Sequence, residues 1–524
     1  MLELRGERLG RDDVVRVARD RVPVRVHPDA VARVAEARAF LERRVEAGQV
    51  IYGVNTGIGH LASVRVERAD LEQLQRNIIR SHAAGVGPPL ADDEVRGILL
   101  LKLHLFLLGH SGVRPRVVEQ LAAMLAADVL PVVPAKGSLG ASGDLAPLSH
   151  VALAVIGEGD VRYRGQTVPA GEALHHAGIE PLTLSYKEGL GLINGCQVMA
   201  ARACLLAHDA RVLHGTAQVI SAAIVDVFGA SERPFDPRVH AVRPYPGQLS
   251  VAANLTKLLR GERDRSERVQ DAYSLRCVPQ ILGGVSDAMS DLEWRLDIEI
   301  NAASDNPLVF PADDEIIAAG NFHGESLGLA ADHFGTAVSE IASLAERQVN
   351  RLLHPALSGG LPAFLAPETG KNSGLMLLQY CAAALVSENK VLSHPASVDS
   401  IPVSADQEDH VSMGATAVHK AAEIVRNVTD VLGVAAIVAA QAMDLRDGRR
   451  YAPASVAFRD AVREEIPFWA EDRYASADMH RASTLVRGGR LLAAAESVVG
   501  ALERGHAPRA WKTSGAMAPR GGTQ

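Results

Sequence analysis

The chain has 524 residues, 47% hydrophobic and 22% charged, which suits a water-soluble globular protein with a large core. A formal net charge of −8 gives no basis for a nucleic-acid or acidic-membrane partner. Aromatics make up only 4% of the chain, so the expected core is helices packed through aliphatic seams.

Four scattered cysteines, Cys196, Cys204, Cys277 and Cys381, form no C-x-x-C pair, which argues against a zinc site or a disulfide framework. Residues 1–22 lack an apolar signal core. The greasiest run, 98–108, is broken by Lys102 and His104 and is too short to cross a bilayer. The expectation is a cytoplasmic protein with reduced thiols and no membrane contact.

Residues 1–50 read as a short helical preface. Pro28 and Asp29 open a helix through Val45 in which Val34, Ala37, Leu41 and Val45 share a face. A glycine-rich loop follows, Tyr52-Gly53-Val54-Asn55-Thr56-Gly57, in which a tyrosine would ordinarily only pack. In Arg80-Ser81-His82-Ala83-Ala84-Gly85, the histidine would ordinarily be a hydrogen-bonded structural group. Helices are expected over 92–108, with an acid as N-cap, over 116–130, stopped by Pro131, and from 148 to 157. Residues 161–169 alternate around a glycine and predict a small hairpin.

Beyond Asn194-Gly195, which taken alone is a turn, residues 197–228 are almost entirely helix-forming. A soft domain boundary is placed near 200. The charged stretch 262–268 predicts an exposed loop leading into Gln270, Tyr273 and Arg276. Leu327, Ala330, Phe334, Val338, Ile341, Leu344 and Leu352 repeat at helical spacing, and 414–443 repeats the pattern with alanine and valine. Residues 506–524 lack periodicity and read as a mobile tail. The units are thus 1–200, 201–505 and 506–524.

The centre of the chain is Gly137-Ser138-Leu139-Gly140-Ala141-Ser142-Gly143-Asp144-Leu145-Ala146-Pro147. Its ordinary reading is a Gly/Ser loop entering a helix, or an anion nest at a helix N-terminus. Ala-Ser-Gly also permits a rarer chemistry. In a sharp enough turn the Gly143 nitrogen attacks the Ala141 carbonyl carbon, and loss of two waters leaves an imidazolone bearing a methylidene group from Ser142. A Cβ at position 143 would crowd that closure.

The eleven-residue string resembles the signature of the aromatic amino acid ammonia-lyases and aminomutases that carry a methylidene-imidazolone group, and further motifs match from Tyr52 to Met413. The resemblance implies a mainly α fold. It would be an elongated helical bundle of the fumarase/aspartase-like type, with a smaller N-terminal helical region carrying the electrophile loop. It implies a 4-methylidene-imidazol-5-one made from Ala141, Ser142 and Gly143, with no metal, and a homotetramer whose sites use more than one subunit. Tyr52 is then the base for the β-proton. Arg276 grips the α-carboxylate with Gln270 and Tyr273 alongside, Asn194 meets the carboxylate or amine, and Phe322 packs near the ring.

The implied reaction is non-oxidative anti elimination of ammonia, giving a trans-acrylate. Capture of the substrate amine and attack by the substrate ring both stay open as the activating event. Ser81-His82 resembles histidine lyases and also some tyrosine aminomutases. Gln407-Glu408 and Met376 resemble histidine lyases, for which the product is urocanate and the reaction opens histidine degradation; tyrosine and phenylalanine enzymes commonly carry an amide in place of Glu408. A tyrosine or phenylalanine lyase, or a 2,3-aminomutase, is the alternative.

Overall fold

In the computed structural model residues 1–505 are described; the tail expected at 506–524 lies outside them. The long helices are Gln197–Phe228, Val278–Glu299, Glu325–Leu353, Met376–Leu392 and Gly414–Asp444. Every residue of the expected stripe on Glu325–Leu353 is buried, from Leu327 to Leu352. Gly414–Asp444 is also buried along most of its length, since alanine and valine let its neighbours approach closely. No helix among the described residues is long and apolar enough to cross a membrane.

Three of these helices begin at one place. Val198 and Met199 donate backbone N–H groups to Asp144, Gly324 lies against Met199, and Met413 N donates to Leu139 O. The Val278–Glu299 helix runs the other way and brings Glu299 back to Cys196. Met376–Leu392 also returns, after which Asp332 accepts from the Ala396 and Ser397 amides and pairs with Lys420. That anchor steers the 398–413 segment to the 137–147 loop, where Met413 N meets Leu139 O.

The N-terminal part surrounds the same end. Pro28–Glu46 forms as expected, and the hairpin pairs Asp160–Tyr163 with Gln166–Pro169. Some expectations shift. The 116–130 helix is Pro115–Ala126, because Asp128 takes φ 54° and the chain leaves as the strand Leu130–Pro131. Asp92 is the first helical residue rather than the cap; Ala91 precedes it, with its N–H given to Glu94. The preface is not purely helical, since Leu2–Leu4 pairs in parallel with Val24–Val26. In the charged 262–268 loop Arg263 is buried against Asp226. Residue 200 falls inside the first turn of Gln197–Phe228.

Candidate active site

The Gly140–Gly143 stretch is a tight turn. Gly143 N donates to Gly140 O at 3.0 Å, so Ala141 and Ser142 form its tip, and Ser142 takes φ 51°. A non-glycine residue in that region is strained. Gly143 itself has φ 79°, and a Cβ there would meet Gly195 O at 2.3 Å and Phe322 O at 2.9 Å. Only glycine fits. The loop is locked from outside by Asp144 N to Gly195 O at 2.8 Å and by Gly195 N to Ser142 O at 3.0 Å.

Asp144 is fully buried, and Oδ2 accepts from Val198 N and Met199 N at 2.9 Å each. Burial pushes its carboxyl up to about 7, while those amides at the helix N-terminus pull the other way.

Tyr52 stands half-buried on its loop, and its hydroxyl accepts from Gly59 N at 3.1 Å. Gln75 ties that loop to the interior: Nε2 donates to Gly53 O and Oε1 accepts from Leu190 N. Glu408 reaches the same loop from the returning segment. Its Oε1 lies 3.1 Å from where a Cβ on Gly59 would stand, and its Oε2 is buried with no hydrogen-bond partner. Burial raises the Tyr52 phenol above its ordinary range, the Gly59 N–H opposes this, and the Glu408 charge adds to it.

Asn194 is buried, with Nδ2 donating to Asp305 at 3.1 Å. His82 ends the Leu71–His82 helix with Nδ1 at 2.7 Å from Ile78 O, so Nδ1 carries the proton and Nε2 is left as an acceptor. Two residues on, Ala84 O and Gly85 border Gly137.

Tyr52, His82, Ala141, Ser142, Gly143, Asn194, Phe322 and Glu408 therefore cluster at one end of the bundle. Gln270, Tyr273, Arg276 and Met376 do not join them. Gln348, far along Glu325–Leu353, donates to Ser274 O at 2.8 Å, which sets the Arg276 segment roughly 35 Å from the Ala141-Ser142-Gly143 turn at 1.5 Å per helical residue. Met376 follows Leu375, whose N–H goes to Phe364 O; the adjacent Leu365 O accepts from Gln441, near the far end of Gly414–Asp444. At that end Tyr273 is 69% exposed, and the Arg276 guanidinium lies 4.6 Å over its ring. Gln270 is exposed as well.

Reading the sequence missed the polar floor beneath Asn194. Lys187 and Asp305, both fully buried, pair at 2.9 Å, and buried Lys102 donates to Gly191 O and Asn194 O. The available signal was a lysine inside an otherwise apolar helix, which must find its partners within the core. His323, Glu325 and His410 bring ligand atoms within 4.8 Å of one another.

A bundle of long helices that starts from a glycine-locked Ala-Ser-Gly turn is a fumarase-like lyase fold. Residues 9–464 match the aromatic amino acid lyase family, and the chain belongs to it. It is 46% identical over 505 residues to a histidine ammonia-lyase of Alkaliphilus metalliredigens, covering 96% of this chain and 99% of that one. It is 48% identical to a histidine ammonia-lyase of Deinococcus radiodurans, covering 93% and 94%. Among solved structures, the tyrosine aminomutase of Streptomyces globisporus superposes with TM-score 0.90 at 38% identity, over 94% of this chain and 98% of that one. The histidine ammonia-lyase of Trypanosoma cruzi gives 0.88 at 38%, over 95% of each.

Proposed function

We propose that this chain removes ammonia from L-histidine to give trans-urocanate, using an electrophile matured from Ala141, Ser142 and Gly143. The observation that carries the choice of substrate is Glu408 Oε2, buried beside the Tyr52 loop without a partner. An imidazole N–H or imidazolium supplies that partner and, when protonated, also offsets the charge. A neutral phenol offers one donor and a phenyl ring offers none. Leaving such an atom unpaired, as a phenyl ring does, costs about 1–3 kcal/mol, roughly ten- to a hundredfold in specificity, and against a phenol the preference rests on the offset of charge. The curated relatives above carry the same name for the reaction.

The loop suits the maturation: the turn brings residues 140 and 143 together, and no side chain fits at Gly143. The mature group supplies an electrophile that turns ammonia into a better leaving group. The chain's own residues do the rest. Tyr52 takes the β-proton, and its ionisation is assisted by the Gly59 N–H and, once an imidazolium faces Glu408, no longer opposed by that carboxylate. His82 offers Nε2 as an acceptor near the ring. Asn194 has its amide donor engaged by Asp305, so its contact with the substrate amine runs through Oδ1. Phe322 packs against the ring.

Arg276, with Gln270 and Tyr273, holds the carboxylate, and a guanidinium fork matches it better than a point charge. These residues and Met376 lie at the far end of their own chain. Each site therefore takes them from another copy, and the assembly is a homotetramer. The exposure of Tyr273 and Gln270 in the single chain supports this. A cytoplasmic location fits the four free cysteines.

The test is kcat/KM for histidine, tyrosine and phenylalanine, following acrylate absorbance and released ammonia. Histidine is expected well ahead. Tyrosine in the lead, or a β-amino acid accumulating in place of the acrylate, overturns the reading.

A further inference from the structure

Lys102 is fully buried in the middle of Asp92–Leu107, a helix buried at every position from Val95 to Leu107. Lys187 nearby rests on the Asp305 carboxylate, but Lys102 bonds to two backbone carbonyls, Gly191 O at 2.9 Å and Asn194 O at 2.6 Å. A buried ammonium held by carbonyl dipoles is costly, and an apolar side chain of the same length would suit that helix better. Burial lowers its pKa to about 7, with Asp305 acting against the shift. Such a charge needs a reason to be there.

The reason lies in what its stronger acceptor is attached to. Asn194 O belongs to the peptide unit whose other end is the Gly195 N–H, and that N–H donates to Ser142 O at 3.0 Å. A charge on the carbonyl end of a peptide polarises it and makes its N–H a stronger donor. The arrangement thus runs from the Lys102 ammonium, through one peptide, to the carbonyl of the residue that must lose its hydroxyl.

We propose that Lys102 is a positioning residue for maturation of the electrophile: acting through the Asn194–Gly195 peptide, it polarises the Ser142 carbonyl and drives dehydration of Ser142. This rests on the reading of residues 141–143 given above. In the first dehydration the Gly143 nitrogen bonds to the Ala141 carbonyl carbon and its proton passes to that oxygen. The resulting hydroxyl leaves with the Ser142 amide proton as water, forming a C=N bond. In the second, the Ser142 Cα proton is removed and the Cβ–O bond breaks. The Cα–H electron pair becomes the Cα=Cβ bond, and hydroxyl and proton leave as water. No oxidant or reductant enters. Negative charge grows on Ser142 O only in the second dehydration, because only there is a proton taken from the carbon beside that carbonyl. The relay acts at that step and ring closure does not depend on it.

The experiment is intact mass, and the mass of the peptide containing residues 137–147, for Lys102→Met and wild type at timed intervals after synthesis. Thermal melting and oligomeric state serve as the fold control. Wild type is expected to lose both waters. Folded Lys102→Met is expected to accumulate chain lighter by one water, with the second loss slowed roughly tenfold or more. Loss of both waters at the wild-type rate overturns the proposal. Retention of both also overturns it, since it means the lysine only shapes the loop. If Lys102→Met does not fold, Lys102→Gln, which keeps a donor without the charge, is judged by the same outcomes. A wild-type chain that keeps both waters defeats the electrophile reading itself, a result separate from a failure of the relay in the variant.

Discussion

The backbone N–H of Gly59 donates to the Tyr52 hydroxyl at 3.1 Å, and this bond favours phenolate while burial and the Glu408 carboxylate favour phenol. In its proposed role as the base, Tyr52 held by such opposed influences responds to the charge at position 408. Glu408→Gln is expected to lower kcat/KM for histidine by roughly ten- to a hundredfold, the scale of one unpaired buried group. It should also move the acid limb of the pH–rate profile to lower pH, because a charge that raised the Tyr52 pKa is gone. A loss of activity with an unmoved limb would separate Glu408 from Tyr52.

Ser142→Ala removes the oxygen lost in the second dehydration. The mature variant is expected to be heavier than wild type by one water, apart from the substitution itself, and turnover is expected to collapse while histidine still binds. Mass spectrometry and steady-state kinetics read the two effects independently. An active Ser142→Ala enzyme would remove the electrophile from the reaction.

Tyr52→Phe and Arg276→Ala should each be inactive, the first mainly through kcat. The two changes lie at opposite ends of one chain. If each site joins the ends of different copies, dissociating and reassembling an equal mixture of the two variants restores about a quarter of the sites by random assortment. Recovered activity near that level is the expected outcome. No recovery from a mixture shown to be hybrid would place both residues in one chain's site.

Asp305→Asn leaves the Lys187 ammonium buried without its counter-charge. Breaking such a pair from one side costs about 3–5 kcal/mol, so the urea midpoint should fall clearly with the m-value unchanged. A loss below about 1 kcal/mol would mean that Lys187 is already neutral in the folded chain.

The long helices were legible because aliphatic spacing and glycine boundaries are local signals: 197–228 has the observed limits, and the 327–352 stripe is buried throughout. The tight turn at 140–143 was legible from its glycines, and the carbonyls of Gly195 and Phe322 leave no room for a Cβ at Gly143. Two things were not. The helix before Pro131 was drawn too long, because the left-handed residue Asp128 gives no apolar signal. The floor of Lys102, Lys187 and Asp305 was invisible because its partners lie about 90 to 120 residues apart, and a lone lysine announces only that it must be satisfied somewhere.

The Ser221 and Gln348 side chains bond to one another deep in the bundle, where Gln348 also holds Ser274. Neither touches a reacting atom, yet both fix how far the arginine segment stands from the turn that bears Ser142. In the proposed assembly, where two half-sites ride on the same rods, rod length becomes a catalytic dimension. Inserting a single helical turn of 5.4 Å midway along Glu325–Leu353 would keep every side chain of both half-sites and still misalign each with its counterpart in the assembly. Insertions and deletions in the middle of these helices are therefore expected to be tolerated far less than substitutions there.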